Sequence, residues 1–386
     1  MNEHLKYKLL AFIRYLGDSL YYPFFALFLK NQGLIEGEIG FLISIAPLIG
    51  ILTNPLYSMI CKNFKITKNV LTVMGILEAI FITCISFTSN YYVIIVLTTL
   101  IALFGTCHYG LMDSLISVFS SKNNIEYSSI RMFGSIAYVI GTTLGGVLIK
   151  WISFKGCFIF STILFILAGL IYFIIKPIDA SNEEKTVKIK EVTRNKKYWL
   201  FVIPYVLLYS SMNIGDNFFS IYLESRGITS FQYGIIYSYF VIVEIVLLFI
   251  FSKIKPKISN FTLLACACIV LIVRFLCNGL YLNLYLVIVL AGARGVAYAI
   301  ILYTSFKSIT KIVGINMATK GIMLMTLLSS VLIFIGNNLL GKLIENAQNY
   351  ILFYLILLIP LTISLILEVI NVIKNKHVEK IDLLEK

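Results

Sequence analysis

Apolar positions in this chain run in long blocks, without the short alternations or one-sided stripes of a soluble fold. Twelve blocks can be drawn, at 8–30, 38–60, 69–89, 92–119, 128–150, 156–176, 198–221, 231–252, 259–280, 284–306, 314–338 and 350–373. Each is long enough to cross a hydrocarbon core of ~30 Å as a helix, which takes about 20 residues. The pattern predicts an all-α membrane protein with twelve transmembrane helices. The first block is not a cleaved leader: it is too long, it carries Arg14 and Asp18, and it lacks a small-residue cleavage pattern. One long polar stretch, 177–197, separates six blocks from six. The expected organisation is a six-helix bundle over 1–176, a cytoplasmic linker at 177–197 that includes an amphipathic stretch, a second bundle over 198–373 and a tail at 374–386.

The two halves resemble each other. FFALFLKNQGLIEGEIGFLIS (24–44) aligns without gaps to FFSIYLESRGITSFQYGIIYS (218–238) at an offset of 194 residues. GTTLGGVLI (141–149) aligns to GNNLLGKLI (336–344) at an offset of 195. Two matches at nearly one offset imply a duplicated six-helix unit. Parallel halves suit a transporter whose site lies between them near mid-membrane. The glycines at 134, 141, 145, 146, 336 and 341 would let neighbouring helices approach closely.

Composition agrees with the pattern. Of 386 residues, 59% are hydrophobic and 13% charged, against about a quarter charged in soluble domains. A soluble enzyme or a nucleic-acid binder is excluded. The net charge of +13 reads as lipid-facing charge. With both termini placed in the cytoplasm, 23 of the 32 Lys and Arg fall in inside segments and five in outside segments, as the positive-inside rule requires. The seven cysteines, at 61, 84, 107, 157, 266, 268 and 277, form no C-x-x-C or Cys/His spacing and read as small core residues.

The other four basic residues, Arg14, Arg131, Arg274 and Arg294, lie inside spans, together with Asp18, Glu78, Asp113, Asp216 and Glu244. Ionisable groups at membrane depth are costly and point to function. Arg14 and Asp18 are spaced to neutralise one another at i, i+4. Asp113 and Arg131 can meet across spans 4 and 5 as a carboxylate–guanidinium pair or bind a polar ligand, with Tyr138 two helical turns after Arg131. His108 reads as a hydrogen-bonded core residue, Glu78 as structural, and Glu368 as reaching the membrane interface. Asp216, Glu244, Arg274 and Arg294 sit on four different spans, which implies an interior polar cavity; a carboxylate there suits proton coupling.

The chain resembles the major facilitator superfamily, and within it the branch of lactose permease and related oligosaccharide or nucleoside proton symporters. YYPFFALFL (21–29), NPLYSMI (54–60) and RMFG (131–134) carry the likeness. The resemblance implies that Asp113, 18 residues before Arg131, binds substrate with it, and that Tyr138 takes the place of a stacking Trp. It makes Glu244 the essential acid of span 8 and ties Arg274 to proton release. Other positions depart: the family His of span 10 is Arg294 and its proton-carrying Glu is Ala297. One span 7 Asp is Asn213, the other is Asp216, and the Lys of span 11 is Ser329.

The reading is a secondary transporter at the cell membrane with both termini cytoplasmic. It is a monomer that carries out proton-coupled symport of a sugar, oligosaccharide or related small polar metabolite. The substrate-binding candidates are Asp113, Arg131, Tyr138, Glu244 and Arg294. The proton-coupling candidates are Asp216, Glu244, Arg274 and Asp18. Arg294, a permanent cation, is expected to pair with Asp216 or to meet an anionic substrate. No cofactor, metal or nucleic acid is implied beyond a proton gradient, small-molecule substrate and lipid. An exporter of a drug or natural product is the alternative; a membrane-embedded enzyme or a transport-inactive receptor are remoter ones.

Overall fold

The computed structural model describes residues 3–61, 63–176, 189–254, 258–347 and 349–384. Fifteen helices account for nearly all of them: α1 (Glu3–Tyr21), α2 (Phe25–Asn31), α3 (Glu36–Ile60), α4 (Phe64–Ile85), α5 (Tyr91–Gly105), α6 (His108–Lys122), α7 (Tyr127–Ile174), α8 (Ile189–Thr193), α9 (Lys196–Asn217), α10 (Phe219–Ser225), α11 (Ser230–Ile254), α12 (Asn260–Gly279), α13 (Leu284–Val313), α14 (Ile315–Ala347) and α15 (Ile351–Leu384). Helices suit this composition because hydrocarbon offers no partner for a bare amide, so each backbone group must be satisfied within its own segment.

Among the described residues ten helices are long and apolar enough to cross a membrane. One of them, α7, has 48 residues. Straight, it would run ~70 Å, more than twice a hydrocarbon core; it bends at Ser153, where φ is 69°, and so covers the predicted spans 5 and 6. The first predicted span is α1 and α2 joined by a 3-10 turn at Tyr22–Phe24 with Pro23 inside it, because proline withholds an amide from the helical ladder. The fourth is likewise two helices, α5 and α6. Polar residues between spans start the next helix: Asn63, Asn90, Ser259 and Asn283 each accept a hydrogen bond from a first-turn amide. The first twelve residues of the predicted linker, 177–188, lie outside the described residues; its remainder holds α8.

The internal repeat is visible in backbone detail. Gly33 and Gly227, aligned in sequence, both turn the chain with positive φ, 87° and 85°, a conformation that side chains disfavour. Glu38 accepts the Ile35 amide and its counterpart Gln232 accepts the Thr229 amide. Gly141 packs on Ser19, and Gly336 packs on Ile214, which stands 195 residues after Ser19. The same close approach is made twice.

The helices form two compact units, Met1–Glu184 with Phe218–Val241, and Lys185–Asn217 with Ile242–Lys386. In the first, α1 packs along α7, and α4 packs against α5 and α7. In the second, α12 packs against α13 and α15, and α9 against α14 and α15. Five cysteines are buried, and Cys84 and Cys266 are exposed.

Candidate functional site

In the first unit the intramembrane charges form two groups. The deeper group centres on Arg14. Its Nη1 donates to Glu78 Oε2 at 2.8 Å, and its Nη2 donates to Glu78 Oε1 and to Asp18 Oδ1, both at 3.1 Å. The guanidinium lies 4.1 Å over the Phe165 ring. The expected i, i+4 pair therefore has a third member from α4, and Glu78 is the closer partner. Arg14, Asp18, Glu78 and His108 are all buried. His108 Nε2 meets the Tyr172 hydroxyl at 3.1 Å, in line with its reading as a bonded core residue, while Nδ1 points at Glu78 Oε2 from 3.8 Å.

The second group is more open. Arg131 Nε lies 3.6 Å from Asp113 Oδ1, and each side chain keeps about a third of its surface exposed, 32% and 35%. The pair expected from the 18-residue spacing is formed. The Tyr127 hydroxyl also bonds Asp113. The aromatic ring on the guanidinium is Tyr15 of α1, 4.2 Å away, and Tyr15 in turn lies 4.8 Å from Tyr109. Tyr138, the candidate stacking residue, is half-buried and lies 6.0 Å from Tyr237. Sequence reasoning does not single out Tyr15, because an aromatic on an apolar helix carries no signal of its own; its place one residue after Arg14 is the available hint.

In the second unit four charges join in one chain of contacts. Arg274 Nη1 donates to Asp216 Oδ1 at 2.7 Å, Arg294 Nε donates to Asp216 Oδ2 at 3.2 Å, and Arg294 Nη1 donates to Glu244 Oε2 at 3.1 Å. Two guanidiniums thus meet two carboxylates. Arg274 is fully buried, whereas Asp216, Arg294 and Glu244 keep 21%, 16% and 16% of their side-chain surface. Arg294 meets Asp216, as its permanent charge demands. It also bridges to Glu244, which sequence reasoning did not foresee.

Beside this network is a cavity of about 180 Å³ lined by Tyr205, Tyr209, Tyr298, Ser305, Thr326 and Ser329 among others. Tyr298 belongs to both: its ring carries the Arg294 guanidinium at 4.7 Å. Tyr298 follows Arg294 by four residues, one helical turn, and that spacing was the signal that could have found it. Ser329, one of its lining hydroxyls, is buried and donates to the Met325 carbonyl. Glu368 does not reach an interface: it is wholly buried, and neither carboxyl oxygen has a hydrogen-bond partner among the described residues.

The described residues contain no group of three His, Cys, Asp or Glu arranged to hold a metal ion. The arrangement offers instead aromatic faces, hydroxyls and paired buried charges.

A family model described as "MFS_1 like family" matches residues 4–356. The chain is 23% identical over 239 residues to "Uncharacterized transporter YwbF" of Bacillus subtilis (strain 168), covering 60% of this chain and 59% of that one. It is 22% identical over 271 residues to "Probable 3-phenylpropionic acid transporter" of Escherichia coli (strain K12), covering 68% and 71%. To "Sucrose permease" of Escherichia coli it is 23% identical over 303 residues, covering 72% and 71%. In fold it matches the crystal structure of a point mutant of the nucleoside transporter NupG with a TM-score of 0.82 at 16% identity, covering 95% and 98% of the two chains.

Proposed function

The chain belongs to the MFS_1 like family, and from that premise we propose that it is a proton-coupled symporter for a neutral ring-bearing solute of the sugar, oligosaccharide or nucleoside class. It works as a monomer in the cell membrane, with two six-helix bundles, a cytoplasmic linker at 177–197 and both termini cytoplasmic. The observation that carries the reading is the cavity lined by tyrosines, hydroxyls and the apolar side chains of Ile301, Leu302, Ile322 and Met325 beside the Asp216–Arg274–Arg294–Glu244 network. Aromatic faces suit the apolar face of a sugar or a nucleobase, and paired charges with some open surface suit ligand hydroxyls. Asp113, Arg131 and Tyr138 form the substrate-facing set of the first unit, and Asp18, Asp216, Glu244 and Arg274 the pool from which the coupling group is drawn. The relatives named as a sucrose permease and a maltose permease, and the fold of a nucleoside transporter, support this class.

A second reading is an aromatic carboxylate, favoured by Arg294 lying on Tyr298 at the cavity edge and by the relative named for 3-phenylpropionic acid. It ranks behind, because Arg294 already serves two carboxylates and a third anion would have to displace one. The test is thermal stabilisation of the purified protein by disaccharides, nucleosides and 3-phenylpropionate, followed by uptake of the best stabiliser into proteoliposomes under an imposed pH gradient. Stabilisation and accumulation of a neutral solute is expected. Stabilisation by the carboxylate alone selects the second reading. Movement of the solute only outward, against the direction of proton entry, selects an exporter.

A further inference from the structure

In the first unit one guanidinium faces two carboxylates in a buried cluster. Arg14 contacts Glu78 twice and Asp18 twice, through Nη1, Nη2 and Nε at 2.8–3.1 Å, and the side chains of the three residues are 1%, 6% and 4% exposed. With both acids ionised and His108 neutral, the cluster would carry a net negative charge. Uncompensated charge at this depth is costly, and such a group does not stay charged when a proton can reach it. The Asp216–Arg274–Arg294–Glu244 network of the second unit has no such imbalance, because two arginines meet two carboxylates there.

We propose that the Arg14–Asp18–Glu78–His108 cluster is the proton site of this transporter, holding one proton between Asp18 and Glu78 with His108 as its relay. The proposal rests on the proton-coupled reading above and moves the coupling group out of the Asp216–Glu244 network. His108 supplies an observation independent of the acids. It is fully buried, its Nε2 is engaged by Tyr172, and its Nδ1, aimed at Glu78 Oε2 from 3.8 Å, has no hydrogen-bond partner among the described residues. A buried polar atom left so is costly unless something visits it. A proton on Glu78 is what this nitrogen is placed to receive. In the transfer the O–H bond of Glu78 breaks and an N–H bond forms at Nδ1, leaving an imidazolium beside a carboxylate, so the cluster's total charge is unchanged.

The other groups around the cluster are neutral at physiological pH and cannot balance it. They are Tyr15 and Tyr21 of α1, Tyr109 of α6, whose hydroxyl reaches Asp18, and Tyr172 of α7. The neighbouring Asp113–Arg131 pair cancels itself. A proton fits better than a sodium ion. The carboxylate oxygens already point at guanidinium nitrogens, and no three-ligand metal arrangement is present among the described residues. Packing holds the acid in place: a methyl group on Gly105 would come within 2.7 Å of Glu78 Oε1.

The test is pH-difference infrared spectroscopy of the full-length protein reconstituted in liposomes, without substrate, reading the carbonyl stretch of protonated carboxylic acids and its shift in D2O. Glu368, buried with neither carboxyl oxygen hydrogen-bonded among the described residues, is removed as a background acid with Glu368→Gln. On that background one band is expected. Asp18→Asn or Glu78→Gln should each abolish it, since one carboxylate on one arginine needs no proton. Arg14→Gln should intensify it, since both acids then need one. Asp216→Asn and Glu244→Gln should leave it unchanged. The variants act in opposite directions, so loss of folding in one does not silence the test. No band in the starting protein, or a band that survives both Asp18→Asn and Glu78→Gln, overturns the proposal. A band erased by sodium chloride but not by choline chloride at fixed pH also overturns it and assigns the cluster to sodium. If the band behaves as stated but no solute follows a pH gradient in proteoliposomes, the transport reading fails and the proton site stands.

Discussion

Removing the charge of Arg14 should be the most destabilising single neutralisation in the first unit. Its side chain is 1% exposed and holds two carboxylates that are themselves 4% and 6% exposed. Breaking one buried pair by deleting a partner costs about 3–5 kcal/mol, because a buried charge is left behind. Arg14→Met leaves two acids, so about 4–5 kcal/mol is expected, after protonation relieves part of the strain. For a unit of this size each kcal/mol moves the midpoint by about 2–4 °C, giving a loss on the order of 10 °C. Arg131→Met is the control. Its partner Asp113 is 3.6 Å away and both are a third exposed, a geometry worth about 0–1 kcal/mol. The Tyr15 ring beneath it adds about 0.5–1 kcal/mol, so a loss of a few degrees is expected. The assay is thermal unfolding in one detergent, followed by intrinsic fluorescence and by monodispersity after heating. The triple variant Arg14→Met, Asp18→Asn, Glu78→Gln should recover at least half the loss, because a neutral cluster leaves no unpaired charge. Equal losses for Arg14→Met and Arg131→Met, or a triple variant no better than the single one, would refute the reasoning.

Arg294→Lys should weaken thermal stabilisation by whichever solute the screen identifies and lower basal stability by about 1–3 kcal/mol, since one ammonium cannot reproduce the fork that reaches both Asp216 and Glu244; a ligand response within twofold of the starting protein would contradict it. Tyr298→Ala should weaken ligand stabilisation more than Tyr138→Ala, because Tyr298 lines the second-unit cavity and supports Arg294; isothermal titration with the identified solute ranks them. Gly141→Leu and Gly336→Leu should destabilise by similar amounts, about 1–3 kcal/mol or more, since each glycine meets an equivalent neighbour, Ser19 and Ile214; a large loss in one and none in the other would show that the repeated packing is not equivalent in energy.

The helical membrane class was legible because hydropathy over about 20 residues is a strong signal in a solvent that forbids unpaired backbone. The break between spans 5 and 6 was legible too, and the bend at Ser153 falls within it; the breaks at 22–24 and 106–107 were not, since an apolar block looks the same whether one helix or two fill it. The Asp113–Arg131 pair was readable from spacing on two neighbouring spans. The Glu78–Arg14 contact was not: it joins α1 to α4 across 64 residues, and nothing local to either residue names the other. Glu368 was misplaced at the interface because its distance from the span end says nothing about which face of α15 is covered. The cavity tyrosines escaped notice for a similar reason. Among 24 tyrosines, those at 205, 209 and 298 are set apart only by tertiary packing.

The internal repeat separates framework from chemistry. Glycines, caps and close approaches recur at offsets of 194–195 residues, whereas the buried charges do not. At the 194-residue offset Arg14, Asp18 and Glu78 correspond to Leu208, Met212 and Ile272, and Glu244, Arg274 and Arg294 correspond to Gly50, Ile80 and Leu100. A duplicated scaffold needs the same small residues twice, because two copies of one packing geometry have the same steric demands. Charges answer a different demand. A charge-balanced network can serve as a polar surface for a solute without exchanging anything, while on the proposal above a cluster with one acid too many takes up a proton and gives it back. On the proposed coupling scheme one transported proton requires one such cluster. Grafting Glu78's role onto the second unit, through Ile272→Glu, should therefore produce a chain that folds poorly at neutral pH and better in acid, where the added carboxyl is neutral. Stability of Ile272→Glu that does not rise between pH 7 and pH 5 would count against the asymmetry.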